Sequence, residues 1–384
     1  AAVVEPVKGE LGLSDAQMGM IAAAFIVVYT MVSPVFGFLG DRKARPPLIA
    51  LGIAIWSVAT GVAGFARGFW SLFFARATVG VGEAAYGTIA PALISDYFPI
   101  EKRGRVLAFF FAAIPIGSAA GYILGGAVDR YFGWRAAFWI AGFPGLALVL
   151  LAMLVKDPTR GQNDVMVDVR PPSRGLDAYR RLFRNRTYLL SVLGYAAYTF
   201  ALGGLAFWMP AFLERVRGVP RSQATVTFGL IVVVTGFAGT FIGGWLGDRL
   251  LTKTKQSYLW VSGVSTFLAA PLTFLALSSD STTVYLITIV AAQVLIFMST
   301  GPVNSAIINA VSPFERATAL GLSVLAMHVL GDIPSPPLIG FLSDRSSLEQ
   351  AVLVVPVAIL VAGMIWCYAA WQGERNGSPG GTAS

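Results

Sequence analysis

Eleven apolar runs, each long enough to cross a bilayer, alternate with short polar stretches along the chain. They fall at 17–39, 47–66, 70–95, 105–128, 134–155, 187–212, 222–246, 257–278, 282–311, 315–343 and 349–371. About 20 apolar residues suffice for a helix to span the hydrocarbon core. The pattern therefore predicts an all-α membrane protein.

Four of the runs end alike. The endings are Gly37-Phe-Leu-Gly-Asp41-Arg42, Gly125-Gly-Ala-Val-Asp129-Arg130, Gly244-Trp-Leu-Gly-Asp248-Arg249 and Gly340-Phe-Leu-Ser-Asp344-Arg345. Asp-Arg is a common way to end one membrane helix at the interface, but four copies in register indicate a repeat. The first and third endings fall on one side of the membrane, the second and fourth on the other. Such alternation predicts nested, inverted three-helix repeats, with a binding site at mid-membrane between two halves. Each half should hold six helices, so one helix is expected ahead of Ala1. The expected division is 1–155 as the N-terminal half lacking its first helix, 156–186 as a cytoplasmic linker, 187–372 as the C-terminal half and 373–384 as a disordered tail. Within the linker, Pro171-Pro172 breaks any apolar run, and a short amphipathic helix is expected near Leu176–Phe183.

Composition agrees. The 384 residues are 56% hydrophobic and 12% charged, with mean hydropathy +0.70; soluble domains carry about 25% charged residues. The 42 glycines suit close-packed membrane helices. A single cysteine, Cys367, and a single histidine exclude an internal disulfide and argue against a metal site. No metal or cofactor is expected. The net charge of +8 would suggest nucleic acid in a soluble chain, but here the charge is topological. Nineteen Lys and Arg residues lie on the side of Arg42, Lys102 and the 156–186 segment. Eight lie on the other side, and Arg76 lies within a span. The richer side is cytoplasmic. This places the C-terminus inside and gives nucleic acid no role.

Few ionisable groups lie inside spans, where a charge costs about 2.5–3.5 kcal/mol on insertion scales. Arg76 and Glu83 are two helical turns apart and share a face. One reading makes Glu83 a proton-titrating group and Arg76 an anion-binding or charge-balancing group; the other makes them a permanent structural ion pair. His328 and Asp332, four apart, also share a face. They suit a second proton site, a contact for a substrate headgroup, or an interhelical clamp. Asn304 and Tyr86 are candidate cavity residues. Tyr195, Tyr198, Phe200 and Trp208 fit either an apolar pathway or ordinary packing.

Gly37-Phe-Leu-Gly-Asp41-Arg42-Lys43-Ala44-Arg45 resembles the loop 2–3 motif of the major facilitator superfamily, with Ala44 in place of its second glycine. The resemblance implies a gating role for Asp41, Arg42 and Arg45. Gly117-x-x-x-Gly121-x-x-x-Gly125-Gly126 is similar to the antiporter motif of helix 5, with Tyr122 where that motif has proline; close helix packing is the expected use. Arg76-Ala-Thr-Val-Gly80-Val-Gly-Glu83-Ala84, Asp96-Tyr-Phe-Pro99-Ile-Glu-Lys-Arg103-Gly104-Arg105, Gly301-Pro302-Val303-Asn304, Arg316-Ala317-Thr318-Ala319 and His328-Val-Leu-Gly331-Asp332-Ile-Pro334-Ser335-Pro336 together resemble the Spinster family. Pro334 and Pro337 predict a broken helix there. The resemblance implies a monomeric, multi-pass transporter of a bacterial cell membrane, coupled to protons. Its implied substrate is an amphipathic anionic lipid such as a lysophospholipid or sphingoid phosphate. A carrier of a small organic anion or drug is the alternative. A receptor or enzyme lacks support, since no nucleophile–base pair, metal cluster or phosphate loop appears.

Overall fold

The computed structural model describes residues 3–164 and 177–377. Expected Arg170, Pro171-Pro172 and Arg174 of the linker, and 378–384 of the tail, lie outside the described residues. The chain is nearly all helical: α1 Val4–Leu11, α2 Asp15–Arg42, α3 Arg45–Ala63, α4 Phe69–Tyr97, α5 Ile100–Gly142, α6 Gly145–Leu154, α7 Asp177–Leu182, α8 Arg186–Arg215, α9 Arg221–Leu250, α10 Ser257–Ser278, α11 Thr282–Phe297, α12 Thr300–Asn309, α13 Arg316–Met327, α14 Ser335–Arg345, α15 Leu348–Ala351 and α16 Val354–Gly377.

Among the described residues, nine helical segments are long and apolar enough to cross a membrane. The expected span at 70–95 is the helix α4, but Arg76 and Glu83 dilute its apolar character. The span at 105–128 lies within α5. That helix bends at Gly133, whose φ of 80° is open mainly to a residue without a Cβ. The expected amphipathic helix of the linker is α7.

Contacts group the chain into two compact units. One comprises Ala1–Tyr97, Ile116–Arg174 and Ser312–Leu325; the other comprises Phe98–Pro115, Gly175–Val311 and Ala326–Ser384. Each unit therefore includes a segment from the other sequence half.

In the first unit, α4 packs between α2 and α3. Two glycines make this possible. A Cβ on Gly80 would lie 2.6 Å from the Phe25 carbonyl oxygen, and one on Gly82 would lie 2.5 Å from that of Gly52. Small residues let membrane helices approach backbone to backbone. Val7, Leu13, Ile21, Ala63, Ala66, Leu72, Ala75 and Trp134 form a buried hydrophobic cluster in this unit.

At three glycines of the α5 stripe the expected close helix packing is not found among the described residues. A Cβ on Gly117, Gly121 or Gly126 would meet nothing within 4 Å. Instead, Gly121 and Gly125 border a cavity.

In the second unit, α16 packs against α8 and α10. Trp366 is fully buried and donates its indole N–H to the Ser191 carbonyl at 3.0 Å. Cys367 packs against Gly263, a structural position. The broken helix expected near Pro334 is present. α13 passes into a π-helical turn at His328–Asp332, and α14 begins at Ser335. Thr199 of α8 donates to the Met327 carbonyl at 2.9 Å. Such a hydroxyl satisfies backbone that a helix break would otherwise leave open.

Candidate functional site

Arg76 and Glu83 project from α4. Arg76 is half-buried, while Glu83 is exposed between the buried Gly82 and Ala84. Their charges interact, but no salt bridge joins them among the described residues. Seven residues of helix separate them by roughly 10 Å along the axis. The Arg76 guanidinium instead lies 5.2 Å from the centroid of the Phe25 ring, a cation–π contact. Tyr86 meets Trp56 edge to face at 5.2 Å.

Arg76 borders a cavity of about 540 Å³ within the first unit. Its walls are almost wholly aliphatic or aromatic, including Val7, Ile21, Leu72, Leu124 and Phe138. Thr60 adds a hydroxyl, and among the described residues that line it Arg76 is the only charged one. The arrangement suits a ligand with one anionic end and an apolar body.

In the second unit, His328 Nδ1 lies 2.8 and 2.9 Å from the two carboxylate oxygens of Asp332. The π-helical turn brings the pair against α8, where a Cβ on Gly203 would lie 2.7 Å from that of Asp332. The Asp332 charge also acts on Tyr195. Asn304 is buried and reaches the Tyr195 hydroxyl at 3.4 Å and the Thr300 carbonyl at 2.9 Å. Asn304, Tyr195, Asp332 and His328 thus form one polar neighbourhood in an apolar unit.

Asp41 is buried at the end of α2. Its carboxylate accepts the N–H of Ala317 at 3.0 Å and of Thr318 at 2.8 Å, both in the first turn of α13. These N–H groups have no partner within the helix, and the helix dipole favours an anion there. A Cβ on Gly37 would press into the Ala317 carbonyl, so the first glycine of the motif sets the approach distance. Arg42 turns back over Phe38, 3.4 Å from its ring centroid, and donates to the Phe38 carbonyl.

Asp248 is the counterpart of Asp41 in the other repeat half. It accepts from the N–H of Gly104 at 2.8 Å and of Arg105 at 3.1 Å, and from Arg105 Nε at 2.8 Å. The Tyr258 hydroxyl lies 2.8 Å from the same carboxylate. A Cβ on Gly244 would likewise meet the Gly104 carbonyl.

Arg45 belongs to a larger cluster that sequence reasoning did not assemble. Its Nη1 lies 2.5 Å from Asp96, its Nε 2.7 Å from Asp157, and its Nη2 3.0 Å from the Pro158 carbonyl. Arg316 reaches the other oxygen of Asp96 at 2.5 Å and Asp164 at 2.7 Å. Gly161 N–H donates to Asp96 at 3.0 Å, and Arg160 donates to the Gly40 and Lys43 carbonyls. The start of the expected linker is therefore clasped to the ends of α2, α3, α4 and α13. Asp96 and Arg316 both stand in motifs visible in the sequence. Their partnership was not visible, because nothing local couples them.

Residues 1–331 match the family model described as Major Facilitator Superfamily. With the helical architecture and the four repeated endings, this defines the class: the chain belongs to the major facilitator superfamily. Protein spinster homolog 1 of Homo sapiens is 37% identical over 367 residues, covering 90% of this chain and 69% of that protein. "Probable sphingolipid transporter spinster homolog 2" of Arabidopsis thaliana is 32% identical over 374 residues, covering 94% and 77%. Within the superfamily, the chain is a member of the Spinster family. A bacterial homologue of the human lysosomal transporter Spinster, solved inward-facing and unoccupied, shares the fold. Its TM-score is 0.64 at 23% identity, over 98% of this chain and 94% of that one. The protein is thus a multi-pass membrane transporter, a non-enzymatic class.

Proposed function

We propose that this transporter moves an amphipathic anionic lipid, of the lysophospholipid or sphingoid-phosphate kind, by proton-coupled alternating access. The observation behind the substrate class is the guanidinium of Arg76 on the wall of a cavity whose described lining is otherwise almost wholly apolar. A guanidinium binds a phosphate oxygen pair in bidentate fashion, while the aliphatic walls accept an acyl chain. The Arabidopsis relative, named as a probable sphingolipid transporter, points the same way.

Glu83 is the proton carrier in this reading. It shares the face of Arg76 without being locked to it, so its protonation can follow the arrival and departure of an anion. His328 and Asp332 form a second proton-responsive pair, with Asn304 and Tyr86 as polar contacts for substrate. Asp41, Arg42 and Arg45 act as the gate: the contacts of Asp41 with α13 and of Arg45 with the linker must part for the cytoplasmic side to open. The protein works as a monomer in the cell membrane with its C-terminus inside.

Uptake of labelled lysophospholipid into proteoliposomes, measured across pH, tests this. Glu83→Gln should flatten the pH dependence, and Arg76→Gln should abolish uptake of the anionic lipid. A Glu83→Gln variant with wild-type pH dependence would sink the coupling role. Equal uptake of a compact organic anion by wild type would favour the small-anion carrier instead.

A further inference from the structure

The junction between the linker and the second repeat half has a charge pattern that transport leaves unused. α7 buries Ala178 and Leu182 and leaves Arg180 and Arg181 exposed; Arg184 and Arg186 follow, also exposed. Four guanidiniums therefore fall within positions 180–186. Phe183, 63% exposed, stands among them. The acidic residue of the stretch 177–186 is Asp177, at the far end of α7.

The stretch is fixed in place. Leu182 is only 1% exposed. Asn185 caps α8 by accepting the Tyr188 N–H at 3.1 Å, and its amide donates to the Ala310 carbonyl at 2.6 Å. The patch adjoins a candidate membrane span, the helix Arg186–Arg215. A 30-residue helix is roughly 45 Å long against a hydrocarbon core of about 30 Å, so its charged first turn and the residues just before it reach beyond the core. That is the headgroup layer. Aromatic rings favour the same layer.

We infer that Arg180, Arg181, Arg184 and Arg186 form a docking surface for anionic phospholipid headgroups, with Phe183 inserted between them. Planar guanidiniums match phosphate oxygens in pairs. A lipid with net negative charge gains from all four, whereas a zwitterionic headgroup sets its own cation against them. Basic residues near an anionic surface contribute about fivefold each in affinity. The surface would tether the linker to the membrane beside α8.

The test compares wild type with the R180Q/R181Q/R184Q/R186Q variant and the corresponding four-lysine variant. Each is reconstituted in phosphatidylcholine with or without phosphatidylglycerol. Lipids that stay bound after gentle detergent extraction are then counted by native mass spectrometry, at low and high salt. Wild type should retain phosphatidylglycerol over phosphatidylcholine by at least tenfold at low salt, and less at high salt. The glutamine variant should approach parity, and the lysine variant should keep most of the preference. An unchanged preference in the glutamine variant would assign the arginines to water or another partner and overturn the proposal. So would a wild type without preference. Neither outcome depends on what the protein transports.

Discussion

Arg316 reaches the buried carboxylate of Asp96 at 2.5 Å across 220 residues of sequence. The other oxygen of Asp96 holds Arg45 at the same distance. All three side chains are at most 3% exposed. Neutralising the shared carboxylate would remove one charged partner from each of two buried cations, while the ion pairs of Arg45 with Asp157 and of Arg316 with Asp164 remain. Removing one member of a buried pair typically costs about 3–5 kcal/mol. Asp96→Asn should therefore lower the thermal unfolding midpoint of the detergent-solubilised protein markedly, whereas neutralising the exposed Asp280 should leave it unchanged. Equal midpoints for the two variants would mean that the cluster is not a structural clasp.

Gly37 has no room for a side chain beside the Ala317 carbonyl, whereas a Cβ on Gly229 of α9 meets nothing within 4 Å. Gly37→Val should push α2 off the first turn of α13 and strip Asp41 of both N–H donors. Each buried group left unsatisfied costs about 1–3 kcal/mol. Gly229→Ala should be neutral or gain up to about 1 kcal/mol from helix propensity. Thermal unfolding of both variants checks the contrast.

Glu10 gives a pH dependence with a defined sign. Its carboxylate accepts the Trp134 indole N–H at 2.6 Å and also binds Arg135. The Trp134 hydrogen bond, followed by Arg135, holds its pKa below the ordinary 4.5. The folded state therefore gains stability above the unfolded pKa and loses it as pH falls through the folded value. Wild type should lose midpoint temperature on acidification in that range. Glu10→Gln should start lower at neutral pH and flatten that part of the profile. Parallel profiles would show that the contact adds nothing to stability.

His328→Ala tests the polar neighbourhood of α13 and α8. It removes the ring held by both oxygens of Asp332. If the pair moves a proton, transport should fall at least tenfold and its pH optimum should shift. A variant that only loosens packing would lose stability and keep the wild-type pH response.

The sequence by itself determined the solvent and the architecture. Runs of about 20 apolar residues can be satisfied only by helices in lipid, and the four endings at Asp41, Asp129, Asp248 and Asp344 revealed the repeat. It also singled out Arg76 and Glu83, because charges inside a span are rare enough to stand out against their neighbours. It marked the broken helix at Pro334, where a missing N–H must interrupt the hydrogen-bond ladder.

Tertiary structure decided the partners. Asp41 and Ala317 are 276 residues apart, and Asp248 and Gly104 are 144 apart. No local pattern states which helix end a carboxylate will cap. Arg45 looked like one part of a loop motif; folding made it half of the Asp96 cluster. The glycine stripe of α5 had the spacing of a packing seam, yet its Gly121 and Gly125 border a cavity. Spacing fixes which face a residue occupies, but only the assembled helices fix what that face meets.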